Sequence, residues 1–267
     1  MMRITMLGTG NALVTRCYNT CFVMDNGRDK LLVDAGGGNG VLTQLECAGI
    51  NEGEIHHIYV THAHTDHILG VIWMVRVFIQ RHLAGKYKGE LHVWSHAKVL
   101  HILDFNLSNM LTKKQYAEIG NCVFFHEVND KEEIDCGSFH LQIFDILSTK
   151  EKQLAFATTV EGKRIVCLGD EPYNEANEAI VKGADWLLSE AFCKYADRDE
   201  FHPYEKHHST VRDAAQLAER LGVPNLILYH TEDKTLATRK QEYTSEARAH
   251  FSGNVFVPDD LETIEIL

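Results

Sequence analysis

The apolar run Ile58-Tyr59-Val60 leads directly into Thr61-His62-Ala63-His64-Thr65-Asp66-His67, so three imidazoles and a carboxylate fall within six positions at the end of a buried-type strand. No other feature constrains the chain as strongly. Side chains alternate with period two in an extended segment, which places 62, 64 and 66 on one side. His67 follows where the chain turns into a helix beginning near Ile68. Two imidazoles on one side, with a neighbouring carboxylate and imidazole, suit borderline divalent metals such as zinc, and two adjacent binding positions sharing a bridge would use the set well.

Two later strand ends extend the pattern. Asp170 follows the apolar run Ile165 to Leu168 and a glycine, from where a carboxylate could bridge metals, and His230 follows the strand-like Leu226 to Tyr229. Each is unremarkable alone among 16 histidines. Together with residues 61 to 67 they form a divided site displayed on strand-end loops.

The rest of the chain supplies a frame. Arg3–Leu7, Cys21–Met24, Lys30–Val33, His57–Thr61, Leu91–Trp94, Cys122–Val128, Phe139–Ile146, Leu154–Val160, Arg164–Leu168, Trp186–Ser189 and Asn225–Leu228 read as strands. Helical spacing covers 41–48, 68–83, 97–107, 112–119, 175–182, 211–221 and 236–249. Thr210 with Asp213 caps the helix at 211. This order, with sheets covered by helices, predicts one α/β domain over residues 1–267.

Composition narrows the partners. Lys plus Arg number 26 against 38 Asp plus Glu, a formal net charge of -12, which disfavours a nonspecific polyanion binder. The seven cysteines show no CxxC pair or regular spacing and read as reduced thiols in a cytoplasmic protein. No run approaches 18 uncharged apolar residues, so no membrane partner is expected.

On these residues the chain resembles the metallo-beta-lactamase superfamily. The matching motif is His62-x-His64-x-Asp66-His67, with Asp170 in the later glycine-aspartate position and His230 in the last histidine position. Gly8-Thr9-Gly10-Asn11, residues 162 to 171, His208-Ser209-Thr210 and residues 226 to 230 are most similar to the branch of tRNA 3′-end processing endonucleases and related phosphodiesterases. The resemblance implies an αββα sandwich of two mixed β-sheets flanked by helices. It implies that His62 and His64 hold a first metal, that Asp66, His67 and His230 hold a second, and that Asp170 reaches both. Such a pair of ions activates water and steadies an anionic transition state. Asp66 could also orient or deprotonate the water, and His208 would act near the scissile phosphate, with His207 an adjacent competitor. One or two divalent ions are expected, zinc first, with manganese or iron also accommodated.

Two departures matter. The family places another first-metal histidine roughly 20 residues before the bridging aspartate, but residues 145–150 read Asp-Ile-Leu-Ser-Thr-Lys. Asp145, His140 and Glu151 are substitutes by chain proximity. Two metals with an unusual ligand, one metal on the Asp66, His67, Asp170 and His230 half, and metal binding without turnover are the alternatives. Second, only 20 residues separate Thr149 from Asp170, leaving no room for the arm with which short bacterial endonucleases grip tRNA.

The leading expectation is therefore a metal-dependent hydrolase, a phosphodiesterase on a small or nucleotide-like substrate, with small esters also in range and a homodimer compatible with it. A tRNA endonuclease lacking the usual arm is second, with Arg76, Arg81, Lys86 and Lys88 as the compact cationic path to the site. A noncatalytic metal or ligand sensor is third. Trp73, Trp94, Phe105, Met110 and Tyr116 are candidates for the rim of a substrate pocket.

Overall fold

The computed structural model describes residues 1–267. Two seven-stranded sheets face one another, and each carries helices on its outer side. The first sheet has the order β14-β1-β2-β3-β4-β5-β6, built from β1 (Met2–Gly8), β2 (Cys21–Asp25), β3 (Lys30–Val33), β4 (Ile55–Tyr59), β5 (Leu91–Ser95), β6 (Val123–Glu127) and β14 (Thr263–Ile266). The second runs β13-β12-β11-β10-β9-β8-β7, from β7 (Glu133–Cys136), β8 (Phe139–Asp145), β9 (Leu154–Val160), β10 (Lys163–Cys167), β11 (Trp186–Glu190), β12 (Asn225–Tyr229) and β13 (Asn254–Phe256).

Both sheets are mixed. In the first, β14, β1, β2 and β3 pair antiparallel while β3 to β6 run parallel. In the second, β7 to β10 are antiparallel and β10 to β13 parallel. The parallel strands read as continuous apolar runs, such as Leu226-Ile227-Leu228-Tyr229, because both faces are covered.

Alternation sorts the side chains into three cores. Met6, Phe22, Leu31, Tyr59, Leu141, Phe156, Leu188 and Tyr229 interleave between the sheets. Residues of the opposite parity on the first sheet, among them Val23, Leu32 and Ile58, pack under α1 (Gly40–Cys47), α2 (Thr65–Leu83) and α3 (Ala97–Met110). The second sheet packs under α5 (Glu178–Val181), α7 (Val211–Leu221) and α8 (Arg239–Arg248). Short helices α4 (Lys113–Tyr116) and α6 (Arg198–Phe201) sit in connections. The expected sandwich is thus the observed one, with β7, β13 and β14 added at the edges. Those three have only three or four residues each, too short for alternation to register.

One boundary changes the reading of the opening motif. The helix begins at Thr65, with His64 as its N-cap, rather than near Ile68. Period-two alternation therefore ends at His64, and Asp66 and His67 stand on the first helical turn. That turn is held against the end of β3 by hydrogen bonds from the Ala35 N–H to the His67 carbonyl (3.0 Å) and from the Gly70 N–H to the Gly36 carbonyl (2.9 Å). A Cβ at residue 70 would lie 1.8 Å from the Ala35 oxygen, so only glycine permits this approach. No helix is long and apolar enough to cross a membrane.

Candidate metal centre

All six residues expected to hold metal converge where the strand ends of both sheets meet. Asp170 lies at the middle, 3 % exposed, three residues beyond β10. Its Oδ2 is 3.5 Å from the Nε2 atoms of His62, His67 and His230 alike. Asp66 Oδ2 is 3.4 Å from His67 Nε2. His64 Nδ1 lies 2.8 Å from His62 Nε2. The donor atoms of His62, His67 and Asp170, and again those of Asp66, His67 and His230, form compact triads. Ligands about 2.1 Å from one tetrahedral ion lie about 3.4 Å apart, close to the separations found.

Hydrogen bonds behind the rings decide where their protons sit. Thr61 Oγ1 donates to Asp34 Oδ2 at 2.8 Å, so it accepts from His62 Nδ1 at 2.9 Å. Thr20 Oγ1 donates to the Gly10 carbonyl, so it accepts from His230 Nδ1 at 3.2 Å. His67 Nδ1 donates to Asp34 Oδ2 at 2.7 Å. Three rings therefore carry hydrogen on Nδ1 and turn Nε2 toward an ionised carboxylate. His67 Nε2 is buried without a hydrogen-bond partner. So many buried nitrogen and carboxylate donors need a positive charge among them, a proton on His67 or a metal ion in its place, and this donor set fits a divalent metal.

The electrostatics agree. Burial lowers the proton affinity of His62 well below its usual value and brings His230 to about 4, keeping both neutral as metal ligands must be. Burial opposes charge on His67 too, but the carboxylates of Asp66, Asp34 and Asp170 outweigh it and raise the ring well above its usual value. Burial would raise Asp170, yet the surrounding histidines hold it well below the carboxylate range.

The substitutes expected for the absent first-metal histidine lie elsewhere. His140 is exposed and pairs with Asp135 and Glu133. Glu151 pairs with Lys98, and Asp145 Oδ1 accepts from the Leu147 N–H. Ser148 Oγ donates to Glu171 Oε1 at 2.6 Å. The residue that does reach the centre is Gln153, fully buried, whose Nε2 donates to Asp170 Oδ1 while its Oε1 accepts from the Asp170 N–H at 2.8 Å. Gly169 makes room, since a Cβ there would lie 2.0 Å from Gln153 Oε1, and its φ is +81°.

His208 stands beside the ligands, stacked on Phe192 with ring centroids 4.8 Å apart. Its Nδ1 faces the Asp170 carbonyl at 2.9 Å and Glu190 Oε2 at 2.7 Å. A carbonyl can only accept, so Nδ1 carries hydrogen and Nε2 is left for the cavity. Burial lowers His208 and raises Glu190 well above its usual value. His207 takes no part in the centre and approaches Thr149 Oγ1 at 3.4 Å.

A cavity of about 570 Å³ opens over the centre, lined by His64, Asp66, Asp170, His208 and His230 together with Asn11, Leu13, Phe192, Lys150 and Lys206. None of the five aromatic and methionine rim candidates lines it. Trp73 and Met110 border a separate hollow of about 270 Å³ with Arg76, Tyr116 bonds Asp104, Phe105 is exposed, and Trp94 stacks on His126. Of the four cations offered as a path to the site, Arg81 is paired with Glu52 and none lines the cavity itself. Sequence patterning missed Asp34, Gln153, Glu190, Lys150 and Lys206. Asp34 had a signal, as the last residue before a run of small residues at a strand end.

Comparison with known proteins places this arrangement. The ribonuclease Z of Halorubrum lacusprofundi is 28% identical over 99% of this chain and 97% of its own length, and that of Thermococcus sibiricus 23% over 100% and 97%. Among solved structures, the metallo-beta-lactamase fold protein YhfI from Bacillus subtilis superposes with a TM-score of 0.79 at 19% identity, covering 98% of each chain. Human tRNase Z, short form, gives 0.74 at 19% identity over 99% of each chain. Zn(2+)-bound PqqB from Methylobacterium extorquens gives 0.75 at 13% identity over 99% of this chain and 100% of its own. These structures share the metallo-beta-lactamase fold of this chain; the family model of the Anti-Pycsar protein Apyc1 matches residues 2–250, and the chain belongs to that family.

Proposed function

We propose that the chain is a metal-dependent phosphodiesterase acting on a small or nucleotide-like substrate, with His62, His64, Asp66, His67, Asp170 and His230 as metal ligands and residues 1–267 working as one cytoplasmic domain. The observation that carries the reading is the convergence of three histidine Nε2 atoms on Asp170 Oδ2 at 3.5 Å. A bound divalent ion, zinc first, supplies Lewis acidity at a phosphoryl oxygen and a water acidic enough to attack at neutral pH.

The chain's own residues do the rest. Asp66 lines the cavity and orients the attacking water. His208 turns Nε2 toward the substrate, its ring fixed by Glu190, the Asp170 carbonyl and Phe192, and exchanges a proton with the reacting oxygens. Lys150 and Lys206 are the cationic side chains lining the cavity, and in a chain of net charge -12 they favour an anionic ester there. The cavity volume lies within the small-ligand range, and the segment between residues 149 and 170 is spent on the β9–β10 hairpin.

The full-length relatives named ribonuclease Z favour a second reading, cleavage of tRNA 3′ ends. Zinc-loaded protein assayed on bis(p-nitrophenyl) phosphate, on mononucleotide diesters and on a tRNA with a 3′ trailer separates the two. Faster turnover of a mononucleotide diester supports the proposal; efficient cleavage confined to the tRNA replaces it, and metal loading with no product from any of the three makes the chain a sensor.

A further inference from the structure

Helix α2 begins at the metal centre and ends at a second cluster of ligand-type side chains. His82 stands in its last turn, 15 residues beyond His67 and so about 22 Å along the helix axis. Facing it are Glu118 and Cys122, from the connection between α4 and β6. The N–H groups of Asn121, Cys122 and Val123 all donate to the Glu118 carbonyl, at 3.1, 3.0 and 3.3 Å. That tight loop brings the two side chains together, and the Leu91 N–H anchors it to β5 through the Cys122 carbonyl at 2.9 Å.

One donor atom from each of the three residues lies within 4.8 Å of the others. Cys122 is 1 % exposed, and His82 Nδ1 is buried with no hydrogen-bond partner. Imidazole, carboxylate and thiolate make a mixed donor set that selects zinc over magnesium or calcium. The carbonyl end of a helix, with its partial negative charge, adds to the attraction for a cation.

We propose that His82, Glu118 and Cys122 form a second, structural site for a thiophilic divalent cation, zinc above all, which pins the far end of α2 to the loop entering β6. A water completes the tetrahedron. The catalytic centre offers only nitrogen and oxygen donors, so the two sites differ in a spectroscopically visible way.

The test is titration of the metal-free full-length protein with cobalt(II). Sulfur-to-cobalt charge-transfer absorption in the near ultraviolet, with the final intensity of one thiolate-bound cobalt per chain, present in H67A and lost in C122S, is the expected result. H82Q should weaken the cobalt affinity of that band by about 10-fold or more. Absence of the band in the folded wild-type protein at saturating cobalt overturns the proposal, as does a band of unchanged intensity in C122S. Should C122S fail to fold, the decision passes to H82Q and E118Q, where an unaltered band and affinity in both is the overturning result.

Discussion

The two halves of the proposed metal centre both face Asp170 but are built to different standards. On one side, His67 and His230 each have a fixed hydrogen-bond partner behind the ring, and both are almost fully buried together with Asp66. On the other, His62 is backed through Thr61, but His64 is half-buried and its hydrogen-bond contact is with His62. Where the superfamily supplies a further imidazole, this chain has a serine bonded to Glu171 and a glutamine bonded to Asp170. Metal affinity depends on ligand number and on how firmly the ligands are held, so the better-backed half should fill first.

The strongest way to break this comparison is to remove its common member. D170A should lose metal from both halves and bring phosphodiester turnover to background; elemental analysis showing the wild-type metal content would refute the shared bridge. Next in size is H208A, expected to lower turnover by about 10²- to 10⁴-fold with metal content unchanged. Metal loss in H208A would mean that the ring supports the ligands instead of the substrate.

The asymmetry itself is sharpened by a matched pair of variants. D34A, which removes the partner of His67 and the acceptor for Thr61, should weaken metal binding by about 10- to 100-fold, read by competition with a chromophoric chelator. Q153A, which removes the side chain that holds Asp170, should weaken binding in both halves, with the less firmly backed His62 and His64 half losing its ion first. Equal affinities for two ions in the wild-type protein would show that the halves are equivalent after all.

The smallest effect separates the centre from the rest of the fold. Burial, helped by His92, lowers His57 to about 4 despite the opposing charge of Asp29. An unfolded histidine titrates near 6.5, so the unfolded chain takes up more protons between those values and stability is lost as pH falls through the window. Thermal melts of metal-free protein should show a shallower acid-side decline in H57Q than in wild type. Identical slopes would remove His57 from the groups that cause the decline.

The convergence of the six proposed ligands was legible in the sequence because they cluster at strand ends, where a break in hydrophobic patterning is conspicuous. Their supports were not. Asp34, Thr61 and Thr20 lie in segments whose pairing across the sheet depends on tertiary register, and Gln153 resembles any polar loop residue until the β8 and β9 strands bring it beneath Asp170. The rim residues failed for the opposite reason. Trp73 is near the motif in sequence, yet a helix that starts at Thr65 carries it two turns from its own first residue, and proximity along the chain is lost at 1.5 Å per residue.

The close approach at Gly70 has a mechanical consequence. With the first turn of α2 hydrogen-bonded to residues 35 and 36 and no room for even a methyl group between them, Asp34, Asp66 and His67 form one stiff unit that meets the cavity through Asp66. Opposite stand Asn11 and Leu13, Lys150 and Lys206, contributed by three separate connections. The compliance of the pocket is therefore concentrated on the face that meets the substrate, and descendants of this chain can alter what they bind by reshaping those connections without detuning the ions.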